Sequence, residues 1–572
     1  MRARKLVSAT MLLGIATMSS CIDNDYDLSD IDSTVRVDVN DLVLPVNLDD
    51  ITLKSIFNIK EGDRVQIVNG QYAFIEDGSF TSDEIKINEV KIASPYIAPV
   101  VQTISTGVAP GMGAIPGAKV ELDIPQSKSD FSTSSNLVSE FIVSIDDVKV
   151  DCDVTISLAI KELAGRVKSF DVASICLQLP IGIDAVPETG TFDKKTGILT
   201  ATNFKSVGNT ASIKLKVTDI DFNKADVHFD AAKRLVTFTS SYAVKSGRFV
   251  ISTDDVTGSL PTSLTLETRY TMSDIDVRAF TGEVRYDVEG TDISDVSLTD
   301  LPDILSQEGT DISIVNPQIY LDVTNPLSTY GVKARTGLAI TAYAKDNTSK
   351  KYSLNDPYFV IPGAASSQFY LSPETVGSFY PGYSNPVHVP FTSLSDVLSG
   401  NGLPERLGID LVDPCMPTQP VTDFRLGVNL GKVEGKYTFY APLALGSGSQ
   451  IIYTETEDGW SSEDLDHVTI ETLVVTASAS SDLPLGVDVS AYPIDVNGNR
   501  IGNVTVEGAS VAAMADGQPI EIRITGEIKM LDGICYTATV RAGDSEQTLK
   551  PDMNIKFSNI RAKAKGYYQK EL

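Results

Sequence analysis

Alternation of apolar and polar residues with a period of two limits this chain more than any other feature. A strand sends successive side chains to opposite faces, so the pattern marks sheets with one buried side. Val35, Val37 and Val39 alternate with polar residues. So do Ile213, Leu215 and Val217, then Leu235 and, after a change of phase, Phe238. Ile522, Ile524 and Ile528 repeat it near the end, where Gly526 marks a bulge or kink. Asn69-Gly70, between RVQIV and QYAFI, is a type I′ hairpin signal, and Asn497-Gly498 is a second. Helical patterns of 10–15 residues do not separate these runs, which argues against a parallel βαβ sheet. The expected fold is all-β: several antiparallel β-sandwich, immunoglobulin-like lobes with a few short helices.

With 572 residues the chain is too long for one core. The expected divisions are 1–20, 21–35, an N-terminal β lobe over 36–137, a second sandwich over 138–290, a third over 291–430 and a C-terminal sandwich over 431–572. Residues 96–136 are rich in Pro, Gly and Ser and read as a long loop within the first lobe. Asn316-Pro317 and Asn325-Pro326 bracket QIYLDVT, a strand with a turn at each end. This stretch resembles water-stress-type immunoglobulin-like domains and supports a sandwich.

Two sets of echoes suggest that 36–285 and 286–572 are related halves. Val296-Ser297-Leu298-Thr299-Asp300-Leu301 resembles Thr392-Ser393-Leu394-Ser395-Asp396-Val397-Leu398, with Ile51 to Phe57 as a looser third copy. In each, Ser or Thr is placed to cap a short helix. Ser273-Asp274-Ile275 through Ala279 to Gly282 echoes Ser558-Asn559-Ile560 through Ala562 to Gly566. Chance similarity among strands rich in Thr, Ser and Val explains the echoes equally well.

The first 21 residues, MRARKLVSATMLLGIATMSSC, set a basic start (Arg2, Arg4, Lys5) before an apolar run from Leu6 to Ala16. That run is too short to span a bilayer and has the length of a signal-peptide core. Ser19 and Ser20 then precede Cys21. The arrangement resembles the lipobox of bacterial lipoproteins, in which signal peptidase II cuts before a cysteine that receives acyl chains such as palmitate. Met18 stands where Leu is usual, and Ser20 where Gly or Ala is commoner. Asp23, Asp25, Asp27, Asp30 and Asp32 follow. This stretch is similar to the acidic tether that sends Bacteroidota lipoproteins to the outer face of the outer membrane. Mutual repulsion would also keep such a tether extended. A calcium loop is disfavoured, because Leu28 replaces the turn glycine and Thr34 the bidentate Glu.

Loss of residues 1–20 removes three basic groups and no acidic ones from the 47 and 76 of the whole chain, leaving a net charge of −32. Such a surface repels nucleic acid and anionic lipid. The lipoprotein resemblance implies attachment to the outer membrane through acyl chains on Cys21, with a glycan or a protein as the expected partner at the cell surface. The other cysteines, Cys152, Cys176, Cys415 and Cys535, are too sparse for a disulfide scaffold. Cys152 falls in phase with Val148, Val150, Val154 and Ile156 and reads as a core residue. A Cys152–Cys176 bridge is an option that the phase of Cys176 disfavours.

Catalytic signals are weak. His228, His388 and His467 are far apart in sequence. No HExxH, CxxC or G-x-S-x-G motif is present, and Gly446-Ser447-Gly448-Ser449 lacks the Lys of a phosphate loop. The expectation is a non-catalytic protein with no cofactor or metal: a structural, adhesive or ligand-binding module. The alternatives are a glycan-binding accessory of an outer-membrane importer, or a subunit of a fimbria-like appendage. Residues 352–391 concentrate aromatics among prolines and glycines. Tyr358, Tyr370, Tyr380 and Tyr383, with the sole Trp460, are the candidate ligand contacts, since flat rings stack on sugars or anchor partners. Packing of the same rings as a satellite core under a long loop is the competing expectation.

Overall fold

A computed structural model describes residues 34–44, 51–52, 64–109, 115–224, 226–298, 309–314, 316–401, 404–445, 447–460, 468–543 and 547–571. Cys21, the acidic tether and His467 lie outside them. The fold is all-β. Helical structure among the described residues is confined to short 3-10 segments such as Lys161–Leu163 and Thr392–Leu398. The chain divides into two compact units, one of residues 1–51, 452–540 and 554–572, the other of residues 52–451 and 541–553.

The larger unit is organised around one long sheet. Its strand order is Ile183–Pro187, Thr210–Asp221, Ile142–Ile160, Ile275–Asp287, Arg406–Arg425, Ala334–Tyr343, Ser349–Ser353. Val148, Val150, Cys152, Val154 and Ile156 are all buried along Ile142–Ile160, as their phase requires. A second sheet is built on Asp171–Gln178 and Leu235–Ser252 and covers the first part of the long one. The Tyr242 ring of that second sheet stacks on Tyr270 of the long sheet at 5.1 Å. A third sheet runs Gln71–Thr81, Glu434–Pro442, Gln318–Thr324, Ser366–Ser372, Val387–Pro390. It covers the other part of the long sheet, where Phe359 and Phe369 meet edge to face at 5.1 Å. Two sandwiches thus share one continuous sheet. The registers of the three sheets are antiparallel apart from Ser366–Ser372 and Val387–Pro390, which run parallel.

The smaller unit is a sandwich of its own. One layer runs Thr34–Leu44, Asn554–Glu571, Val468–Ser481, Gln518–Ile528, Val504–Glu507. The other includes Leu531–Arg541, Gly486–Asp495 and Ala509–Val511. Alternate residues Leu473, Val475, Ala477 and Ala479 are buried in the first layer, and Val487, Val489 and Ala491 in the second.

Several expectations are corrected. Residues 36–137 form no lobe of their own. Thr34–Leu44 pairs with the C-terminal strand, Gln71–Thr81 joins Glu434–Pro442, and Val100–Ser105 and Lys119–Asp123 join Ser263–Met272 and Leu235–Ser252. Local alternation announces a strand but not its distant partner. The supposed loop over 96–136 contains three strands, Val100–Ser105, Lys119–Asp123 and Ser127–Ser135. Pro and Gly there punctuate short strands rather than replace them. Val35 and Val37 lie on a strand but stay 43% and 41% exposed, because Thr34–Leu44 is the edge of its layer. As the phase of Cys176 disfavours a bridge, Cys152 and Cys176 are both free thiols, Cys152 on the long sheet and Cys176 on its cover.

The hairpin signals resolve differently. Asn69 and Gly70 both take positive φ, 53° and 77°, and close the tight turn between Val68 and Gln71. At the second site only Gly498 does, at 77°. There the Gly498 amide donates to the Asp495 carbonyl and the Asp495 amide to that of Asn499, a three-residue loop with a glycine bulge.

Candidate functional site

The third sheet of the larger unit has a buried face and an outward face, and the outward face carries the aromatic loop. In QIYLDVT, Ile319, Leu321 and Val323 point inward, so Tyr320, Asp322 and Thr324 must point outward. Register then sets their neighbours in rows across the strands. Thr81, Glu434, Thr324 and Ser366 form the first row, and Ser79, Lys436, Asp322 and Gln368 the second. Asp77, Thr438, Tyr320, Tyr370 and His388 form the third.

The loop following Ser372 folds over the third row. Ala73, Ile75, Tyr320, Tyr370 and Tyr440 are buried there, and Val376, Phe379, Tyr380 and Tyr383 pack on them. The Tyr383 ring lies 4.8 Å from Tyr320 and Tyr380 lies 5.5 Å from Tyr440. Each such pair adds about 0.5–1.5 kcal/mol beyond area burial. Polar ends are satisfied: the Tyr320 hydroxyl donates to Gln318 Oε1 at 2.6 Å, and Gln71 Nε2 donates to the Tyr440 hydroxyl at 3.2 Å. Burial pushes the Tyr320 hydroxyl up to about 12. Burial likewise raises Tyr383, whose hydroxyl sits beside Thr438.

The first two rows stay open. They line a cleft of about 550 Å³ bounded by Ser79, Thr81, Asp322, Thr324, Ser366, Glu434 and Lys436; Phe80 and Gly435 also border it, from positions that turn toward the buried face. Asp322 is held by Ser366 Oγ at 3.2 Å and Gln368 Nε2 at 3.5 Å. Gln368 also accepts from the Ser384 amide at 3.2 Å, which fixes the end of the tyrosine loop against the cleft. Deeper in the sheet, Thr438 Oγ1 donates to Asp77 Oδ1 at 2.6 Å.

The candidate aromatics separate accordingly. Tyr370 is buried between Tyr320 and His388, whose ring stacks on it at 4.7 Å, so no ligand reaches it. Trp460, 3% exposed, is a core side chain as well. Both lose the role of ligand contact, because a large ring gains more from burial than from standing in water. Tyr380 and Tyr383 are half-buried and come together on Tyr320. Tyr358 stands apart: its hydroxyl donates to Asp413 at 3.1 Å and its ring lies under the Arg335 guanidinium at 4.8 Å. The polar residues of the open rows were missed. Their alternation in QIYLDVT was visible, but the meeting of four distant strands was not.

The histidines have ordinary surroundings. His228 is exposed on its strand. His388 Nε2 lies 3.2 Å from the Ser372 hydroxyl, a spacing that suits a nucleophile and its base. Ser372 is fully buried, however, and its hydroxyl donates to the Glu374 carbonyl. The pair therefore pins the start of the loop. Among the described residues no group of three metal-ligating side chains converges. No helix among them is long and apolar enough to cross a membrane.

No protein-family model matches the chain, and no curated protein matches it. Among solved structures, similarity extends to a "putative secreted protein" from Parabacteroides distasonis, 14% identical over 50% of this chain and 90% of that one, with a TM-score of 0.35. A structure of Broad Bean Stain Virus is 11% identical over 50% of this chain and 89% of that one, with a TM-score of 0.14. Likenesses this low carry no statement about function.

Proposed function

We propose that this chain is a non-catalytic envelope protein, anchored to the outer membrane by acyl chains on Cys21. It presents its β-sandwiches at the cell surface as a structural, adhesive or ligand-binding module. One observation carries the reading: a basic start, a short apolar run, two serines and Cys21 stand in that order, with five aspartates directly behind. An apolar core of that length cannot hold a protein by spanning a bilayer, whereas several acyl chains can, at about 0.8 kcal/mol per buried methylene.

The fold is compatible with this placement. Its sheets use their aromatics for packing, and the Ser372–His388 pair is committed to holding a loop. The high net negative charge keeps a protein dispersed in an exterior setting.

Detergent phase partitioning of the native protein and of Cys21→Ser tests the proposal. The native chain enters the detergent phase and the variant the aqueous phase. If both chains partition alike, the anchor is wrong.

A further inference from the structure

We infer that the open cleft on the outward face of the third sheet is a binding site for a neutral oligosaccharide bearing vicinal hydroxyls. Its lining points to that class. Four hydroxyl side chains, Ser79, Thr81, Thr324 and Ser366, both donate and accept. Asp322 is a pure acceptor, already aimed by Ser366 and Gln368. Lys436 is its direct cross-strand neighbour and a pure donor. Among the described residues the side chains of Lys436 and Glu434 have no hydrogen-bond or ion-pair partner. An acceptor and a donor about 5 Å apart across a strand pair suit two adjacent hydroxyls of one ring.

Other ligand classes fit less well. A peptide would need apolar pockets for its side chains, and Phe80, the one aromatic residue at the cleft, turns its ring to the buried face beneath Gly435. An anion would face Asp322 and Glu434 on a chain of net charge −29. A divalent cation would meet the ammonium of Lys436 between those carboxylates. A volume of about 550 Å³ accommodates a few sugar rings. The tyrosine loop, tied to Gln368, forms one border and leaves Tyr383 near Asp322.

This inference stands apart from the acyl anchor, and either can fail alone. The test is isothermal titration of the full chain in detergent with maltohexaose, cellohexaose, xylohexaose and mannohexaose. Asp322→Asn and Lys436→Gln are titrated beside it, with His228→Gln as a distant control. Both cleft substitutions keep size, so thermal melts should match the native chain. The expected result is binding of at least one hexaose, weakened about tenfold or more in each cleft variant and unchanged in the control. No binding of any of the four sugars, or binding that both cleft variants retain in full, overturns the assignment.

Discussion

Gly282 lies so close to Ser144 on the neighbouring strand that a Cβ on the glycine would stand 2.1 Å from the Ser144 carbonyl oxygen. Gly566 repeats the relationship with Thr469, again at 2.1 Å. In each case the glycine pairs with an isoleucine, Ile145 or Ile470, and an acidic residue behind it, Asp146 or Glu471, is left over as a bulge. The sequence echo ending at Gly282 and Gly566 therefore has a structural counterpart, a bulged strand crossing a glycine. The other echo is partly realised: Thr392–Leu398 is the expected short helix with Leu394, Val397 and Leu398 buried, while residues 299–308 lie outside the described chain.

Gly282→Ala and Gly566→Ala should each lower stability by about 1–3 kcal/mol, since neither glycine has a positive φ and the whole cost is steric overlap with backbone. Gly377→Ala, with nothing within 4 Å of the new methyl, should stay within about 0.5 kcal/mol. Chemical denaturation of the three variants checks this.

The tyrosine loop should come loose when its anchor is shortened. Tyr383→Ala removes the ring that lies on Tyr320 and should cost about 2–4 kcal/mol locally. Tyr383→Phe keeps the ring and should cost no more than about 1 kcal/mol. Limited chymotrypsin digestion, cutting after Phe379, should accelerate in the first variant and not in the second.

Stability should also depend on Asp147. Burial, then a hydrogen bond with Asp219 and that residue's charge, push the Asp147 carboxyl up to about 7, against an opposing pull from Lys149. A carboxyl raised in the folded state holds its proton more tightly there than in the unfolded chain. Its contribution is complete below its ordinary value of about 4 and is lost as pH rises through about 7. Asp147→Asn should therefore raise the melting temperature at pH 8 and leave it nearly unchanged at pH 4. Melts across that range decide it.

Thiol reactivity should split in two. Cys176 and Cys415 are partly exposed, while Cys152 and Cys535 are buried and burial pushes the Cys152 thiol up to about 11. A disulfide reagent should modify the first two in the native protein and the others only after unfolding. Mass spectrometry of the modified peptides distinguishes them.

Strand existence was readable because Cys152 and its neighbours, or Tyr320 and its neighbours, alternate over stretches long enough to show a period. Asn69-Gly70 was readable because positive φ at both turn residues selects that dipeptide. Pairing was not readable. Asp322, Lys436 and Ser79 meet from strands more than a hundred residues apart, and nothing local in any one of them names the others. For the same reason the loop tyrosines could be seen as a cluster, but not which of them the sheet would bury.

The account rests most heavily on the chemistry at Cys21. Mass spectrometry of the N-terminal peptide from the membrane fraction measures it directly. The expected species begins at Cys21 and carries acyl chains. A peptide that begins elsewhere, or Cys21 found as a free thiol inside a longer peptide, would contradict it.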